Sequence, residues 1–203
     1  MSRLFRYLFA LVCGAVPVRA LFFCILPLRR KKFRQKGLVS SRSRETGMAL
    51  LWMYCGGMAM LALTPYWVSS SLVDVLHGYR WNVNGYPFFQ MGGSNFIPLQ
   101  TFRMDGWSLF NLAGNIAMFV PFGFFAALLW RGYTWKRALL TGFCITTFIE
   151  CWQLCVGRAF DIDDIVLNTL GVFCGYLLWA LLRKFAPAFV ERFYVNEGNT
   201  WRK

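Results

Sequence analysis

Acidic side chains are scarce in this chain. Nine Asp and Glu stand among 203 residues, against 22 Lys and Arg and a single histidine, His77. Charged residues of both signs make up 15%, where a soluble domain carries about a quarter, so an ordinary soluble globular domain is excluded. There is no C-x-x-C pair, and the seven cysteines (Cys13, Cys24, Cys55, Cys144, Cys151, Cys155, Cys174) are odd in number and lie in apolar runs. Neither a disulfide framework nor a zinc site is expected from them. The chain also lacks a Gly-rich phosphate loop, an H-E-x-x-H pair and a Cys–His nucleophile pair, which removes the common motif-borne catalytic classes.

What the chain does have is 57% apolar and 19% aromatic residues, with the charges gathered into clusters that leave long uncharged runs between them. This pattern predicts an all-α, polytopic membrane helical bundle of about five transmembrane helices. The net charge of +13 raises the question of nucleic acid. Eight basic residues, however, fall between Arg29 and Arg44, directly after an apolar run, as in a loop facing anionic lipid. No recognised nucleic-acid-binding motif accompanies them, and no nucleic-acid partner is expected.

Five spans are expected: Tyr7 to Leu28, Met48 to Val68, Ser108 to Trp130, Ala138 to Val156 and Asp164 to Leu182. The first is interrupted by Pro17 and Arg19, and the RRKK that follows it argues for a retained helix over a signal peptide. Arg19 is expected either to snorkel or to pair with an acid such as Glu150. The connection from Ser69 to Trp107 contains YPFFQMGGSNFIPLQTF, too apolar for a free loop, and is expected to be interfacial or re-entrant. Three parts follow: residues 1–47 as an N-terminal helix with a basic loop, 48–182 as a four-helix membrane domain, and 183–203 as a tail with a possible surface helix.

Lys and Arg set the expected orientation. The Arg29 loop, the turn at 131–137 and the tail carry 16 of the 22, and the opposite connections with the N-terminus carry 5. The positive-inside rule then places 29–47, 131–137 and the C-terminus in the cytoplasm, and 69–107 with 157–163 outside.

Four of the nine acids, Glu150, Asp161, Asp163 and Asp164, lie in ECWQLCVGRAFDIDDIVLNTLGVFCG together with Gln153, Arg158 and Asn168. At about 1.5 Å per residue, Asn115 and Glu150 lie roughly 10 and 9 Å below the outer ends of their spans. Asn111, Gln153 and Asn168 are shallower, so three helices bring polar groups to one level. Thr146, Glu150 and Gln153 share one face, and Asp164, Asn168, Gly171 and Gly175 another. Asp161 is expected to cap the last span, with Asp163 turned away.

Two readings stay open on these residues. In one, caps and pairs satisfy each other and hold the helices together without chemistry. In the other, an outward polar pocket binds through Asn111, Asn115, Gln153, Arg158 and Asn168, with Arg158 on a phosphate or carboxylate. Its candidate catalytic residues are Glu150, Asp161 and Asp164. A desolvated Glu150 suits a general acid or proton carrier, and Asp161 with Asp164 is a weak site for Mg²⁺ or Ca²⁺.

NFIPLQTF at 95–102, NLAGNIAMFVPFGF at 111–124 and IECWQLCVGRAFDIDDIVLNTLGVFCGY at 149–176 resemble the VanZ-like family over about Ala59 to Leu182. The family pattern falls on Asn95, Pro98, Asn111, Asn115, Pro121, Gly123, Glu150, Gln153, Arg158, Asp161, Asp164, Asn168 and Gly171. Leu99 departs from it, standing where an aromatic is common. The resemblance implies a bacterial cytoplasmic-membrane protein in a setting of teicoplanin-type glycopeptide resistance, its partners being membrane lipids or a lipid-linked cell-wall precursor. It implies no reaction. A binding protein, a membrane enzyme acting on a lipid-linked phosphate or headgroup with a divalent metal, and a proton-coupled carrier using Glu150 are the expectations carried forward.

Overall fold

The computed structural model describes residues 3–65, 67–68, 71, 75, 87–97 and 107–197, with side chains except at 3–7, 107–111 and 196–197. Its long helices are α1 (Arg3–Gln35), α2 (Arg42–Leu63), α3 (Trp107–Leu129), α4 (Trp135–Cys155) and α5 (Ile162–Phe185). All five contain a stretch long and apolar enough to cross a bilayer, so the chain is a multi-pass helical membrane bundle.

Local chemistry accounts for the boundaries. α1 continues through Pro17 and Pro27 to Gln35, so the basic stretch expected as a loop from Arg29 is helical in its first part. α2 starts at Arg42 because Ser41 caps it, its hydroxyl accepting from the Arg44 N–H at 3.0 Å. It stops at Leu63, ahead of Thr64 and Pro65, and not at Val68. Thr134 caps α4 and Asp161 caps α5, so these helices begin at Trp135 and Ile162. Polar first turns had hidden these starts, since a charged or hydroxyl residue there reads equally as loop.

The α3–α5 interface is the most extensive in the bundle, and glycine is the reason. Gly171 and Gly175 of α5 face the Ile116 and Val120 carbonyls of α3, and Gly123 of α3 faces the Val172 carbonyl of α5. A Cβ at any of these would collide with backbone, so close approach depends on its absence. The order of these contacts makes the two helices parallel, with α4 running back between them in sequence. α1 and α2 meet in the same way at Gly14 and Gly56.

Short strands tie each end. At the basic end β1 (Leu38–Val39) pairs antiparallel with β4 (Asn196–Glu197), and at the other end β2 (Ser94–Asn95) pairs parallel with β3 (Phe160–Asp161). The tail is therefore docked. A short helix, α6 (Pro187–Glu191), carries Val190 into a core cluster with Ala127, Leu128, Trp179 and Tyr194. Arg44, expected in a loop facing anionic lipid, is 6% exposed, and its Nη1 donates to the carbonyl oxygens of Leu129 and Phe193. Glu45 beside it accepts from the Ser40 hydroxyl and faces the Arg29 guanidinium at 3.5 Å. Arg19 is exposed, with its guanidinium 5.7 Å from the Phe23 ring centre, and Glu150 takes a different partner.

Candidate functional site

At the end opposite the basic loops, α2 finishes with carbonyls that have no partner inside the helix. Three side chains from the end of α4 and the turn after it supply donors. Trp152 Nε1 donates to Leu63 O at 2.8 Å, Gln153 Nε2 to Ala62 O at 3.2 Å, and Arg158 Nη1 to Leu61 O at 2.7 Å. A guanidinium at a helix C-terminus is also favoured by the helix dipole. Gln153 and Arg158, read from sequence as ligand-binding residues, thus carry structural bonds: part of Arg158 is occupied by α2. Trp152 went unremarked because its acceptor is a backbone carbonyl nearly ninety residues away.

Glu150 lies behind this turn, 1% exposed, and its Oε2 accepts the Asp161 backbone N–H at 3.0 Å. Thr146 and Gln153, expected on the same face, are buried with it. Asp161 caps α5 by accepting the Asp163 N–H at 2.9 Å, and its carboxylate meets the Asn95 amide at 3.3 and 3.4 Å. Asn95 in turn accepts from the Ile97 N–H at 3.1 Å, which fixes the local turn. Asp163, expected to turn away from Asn168, is 4% exposed.

The segment 87–97 folds onto the α4–α5 turn. Gln90 and Gly92 N–H groups donate to Cys155 O and Leu154 O at 2.9 and 2.8 Å, and Phe160 N–H donates to Gly93 O at 2.9 Å. The first two satisfy the last carbonyls of α4, and the third ties β3 to the segment. Gly92 presses against the Arg158 carbonyl so closely that any side chain there would collide with it. Gly157, with φ of 78°, makes the turn between α4 and β3. Phe88, Phe89, Met91, Phe96 and Ile97 are exposed, an apolar fringe suited to a membrane interface. The rest of the long connection, including Pro98, lies outside the described residues.

From α3, the Asn115 amide donates to Asp164 Oδ1. Asn168, one turn further along α5, is 5% exposed, and its carbonyl oxygen has no hydrogen-bond partner among the described residues. The Asn111 side chain lies outside the described residues. Asp161 and Asp164 each meet an amide, and among the described residues no group of three or more His, Cys, Asp or Glu is placed to hold a metal ion.

The structure therefore brings Asn95, Asn115, Glu150, Gln153, Arg158, Asp161, Asp164 and Asn168 to one end of the bundle, from four segments of the chain. Glu150, Gln153 and Arg158 brace that end. Asp164 and Asn168 each retain an acceptor oxygen beyond those bonds, whereas both Asp161 oxygens are taken. No curated protein and no solved structure shows a significant match to the chain. Its residues 49–183, from the first buried turns of α2 to the last of α5, match the family model described as VanZ/LLP1. That match spans well over half of the chain and takes in every polar residue of the braced end, so the chain belongs to the VanZ/LLP1 family.

Proposed function

We propose that this is a bacterial envelope protein that lowers susceptibility to teicoplanin-type glycopeptides by binding a lipid or lipid-linked cell-wall precursor headgroup at its polar end. The observation that carries this reading is Asn168. A buried amide oxygen left without a donor costs roughly 1–3 kcal/mol, and a ligand N–H or O–H arriving there would recover that energy. Asp164 and Asp161 lie nearer the end of the same helix, with Asn115 and Asn95 holding their carboxylates. The free acceptors of Asn168 and Asp164 suit a headgroup rich in hydroxyl, amide or ammonium donors, and Arg158 adds positive charge beside them. The exposed aromatic fringe at 88–97 would hold this end at headgroup level. The basic loops at the opposite end favour an outward-facing pocket, where cell-wall precursors are displayed.

The test is teicoplanin susceptibility of host cells expressing wild type, Asn168→Leu, Asp164→Asn and Glu150→Gln, at membrane levels equalised by blot. Wild type should raise tolerance and the first two variants should lose it. Equal tolerance in all four would sink the proposal. An enzyme acting on lipid-linked phosphate with Mg²⁺ or Ca²⁺ is distinguished by complete loss on Glu150→Gln together with a requirement for divalent ion in purified membranes.

A further inference from the structure

We propose that the basic end carries a second, separate lipid site: a groove between α1 and α2 that holds one anionic phospholipid, its phosphate between Arg30 and Arg42. The groove encloses about 460 Å³. Its mouth has Arg30 on α1 and Arg42 on α2, both exposed, and neither has a carboxylate partner among the described residues. The Glu45 carboxylate also borders it, but that charge is already offset by Arg29 at 3.5 Å and the Ser40 hydroxyl. The floor is apolar, formed by Phe22, Phe23, Leu26, Ala49, Leu50 and Met53, and Arg19 closes the deep end.

Length and charge together select the occupant. Arg19 and Arg30 are eleven residues apart on one helix, roughly 16 Å at 1.5 Å per residue. That is about half of a 30 Å hydrocarbon core, the reach of an acyl chain in one leaflet. A free phosphate would use the two mouth arginines but leave the apolar floor empty. A zwitterionic lipid would fill the floor but bring an ammonium group to an already cationic mouth. An anionic phospholipid satisfies both parts. This site lies at the far end of the bundle from Asn168 and stands whether or not the polar end binds a headgroup.

The experiment is native mass spectrometry of the purified full chain in mild detergent, titrated with phosphatidylglycerol or with phosphatidylcholine of the same acyl chains. Wild type should retain one phosphatidylglycerol in preference to phosphatidylcholine, and millimolar inorganic phosphate should not displace it. Arg30→Gln/Arg42→Gln should weaken that binding about 30-fold, about five-fold for each arginine. Lys136→Gln/Arg183→Gln, two exposed basic residues of the same end outside the groove, should leave it within about two-fold. Equal binding of the two lipids, no effect of the groove pair, or an equal effect of the control pair would overturn the site. So would displacement by phosphate, or a wild-type dimer in light scattering that the groove pair dissociates, since the face would then be holding a second copy.

Discussion

Arg158 and Arg44 perform one task at opposite ends of the bundle. Each projects a guanidinium onto the carbonyl end of a helix distant in sequence, Arg158 onto α2 at Leu61 and Arg44 onto α3 at Leu129. Hydrogen bonds from a charged donor contribute about 1.5–3 kcal/mol, so Arg158→Met should destabilise the protein by that order in a thermal unfolding scan in detergent. Arg158→Lys, which keeps charge but loses the planar fork, should fall between wild type and Met. Glu150 makes a parallel case. Glu150→Ala leaves the Asp161 N–H without its acceptor and should cost about 1–3 kcal/mol, whereas Glu150→Gln retains an amide oxygen there and should cost less. Should Glu150→Gln match Glu150→Ala in that scan, the backbone bond is not what Glu150 contributes.

Two glycines of α3 at the scale of the helix test the packing argument against intrinsic propensity. Gly123 faces the Val172 carbonyl, while Gly114 has open space where a Cβ would go. Gly123→Ala should therefore destabilise by about 1–3 kcal/mol through overpacking. Gly114→Ala should be neutral or stabilising by about 0.5–1 kcal/mol, because it only relieves the entropic cost of glycine in a helix. Equal effects would mean that the α3–α5 seam tolerates separation. At the other paired element, Gly92→Val should detach β2 from β3. Protease sensitivity within 87–97 should then rise while the helical circular-dichroism signal stays near wild type.

Taken whole, the molecule is clamped at both ends, by the docked tail at one and by the segment 87–97 at the other. Val190 of α6 is fully buried, and the Phe193 carbonyl accepts from Arg44. Ending the chain after Phe185 should lower thermal stability well beyond the roughly 2 kcal/mol expected for Val190→Ala, because the truncation also leaves part of buried Arg44 without its acceptor. The proposed orientation is testable at the same scale. In a cysteine-free background, Ser94→Cys should react with an impermeant maleimide in intact cells and Lys136→Cys only after permeabilisation; the reverse pattern would place the polar end inside.

The sequence by itself determined the features that depend on local composition and on rise per residue. These are the number of spans, the convergence of Asn115, Glu150 and Asn168 at one level, the Asp161 cap, the glycine stripe of α5 and the family. Each follows from a period or a motif carried by contiguous residues. Tertiary structure alone decided the partners. Arg158 reads either as a phosphate or carboxylate ligand or as part of a structural network, and only packing reveals its bond to Leu61 O; Arg44 reads as a juxtamembrane charge facing lipid, yet is buried against Leu129 and Phe193. The tail reads as an appendage, yet it completes the core. The physical reason is common to all three. Their partners are backbone carbonyls or a surface assembled from distant helices. A carbonyl is chemically the same at every position, so nothing in the sequence marks which one packing leaves unsatisfied at a helix end.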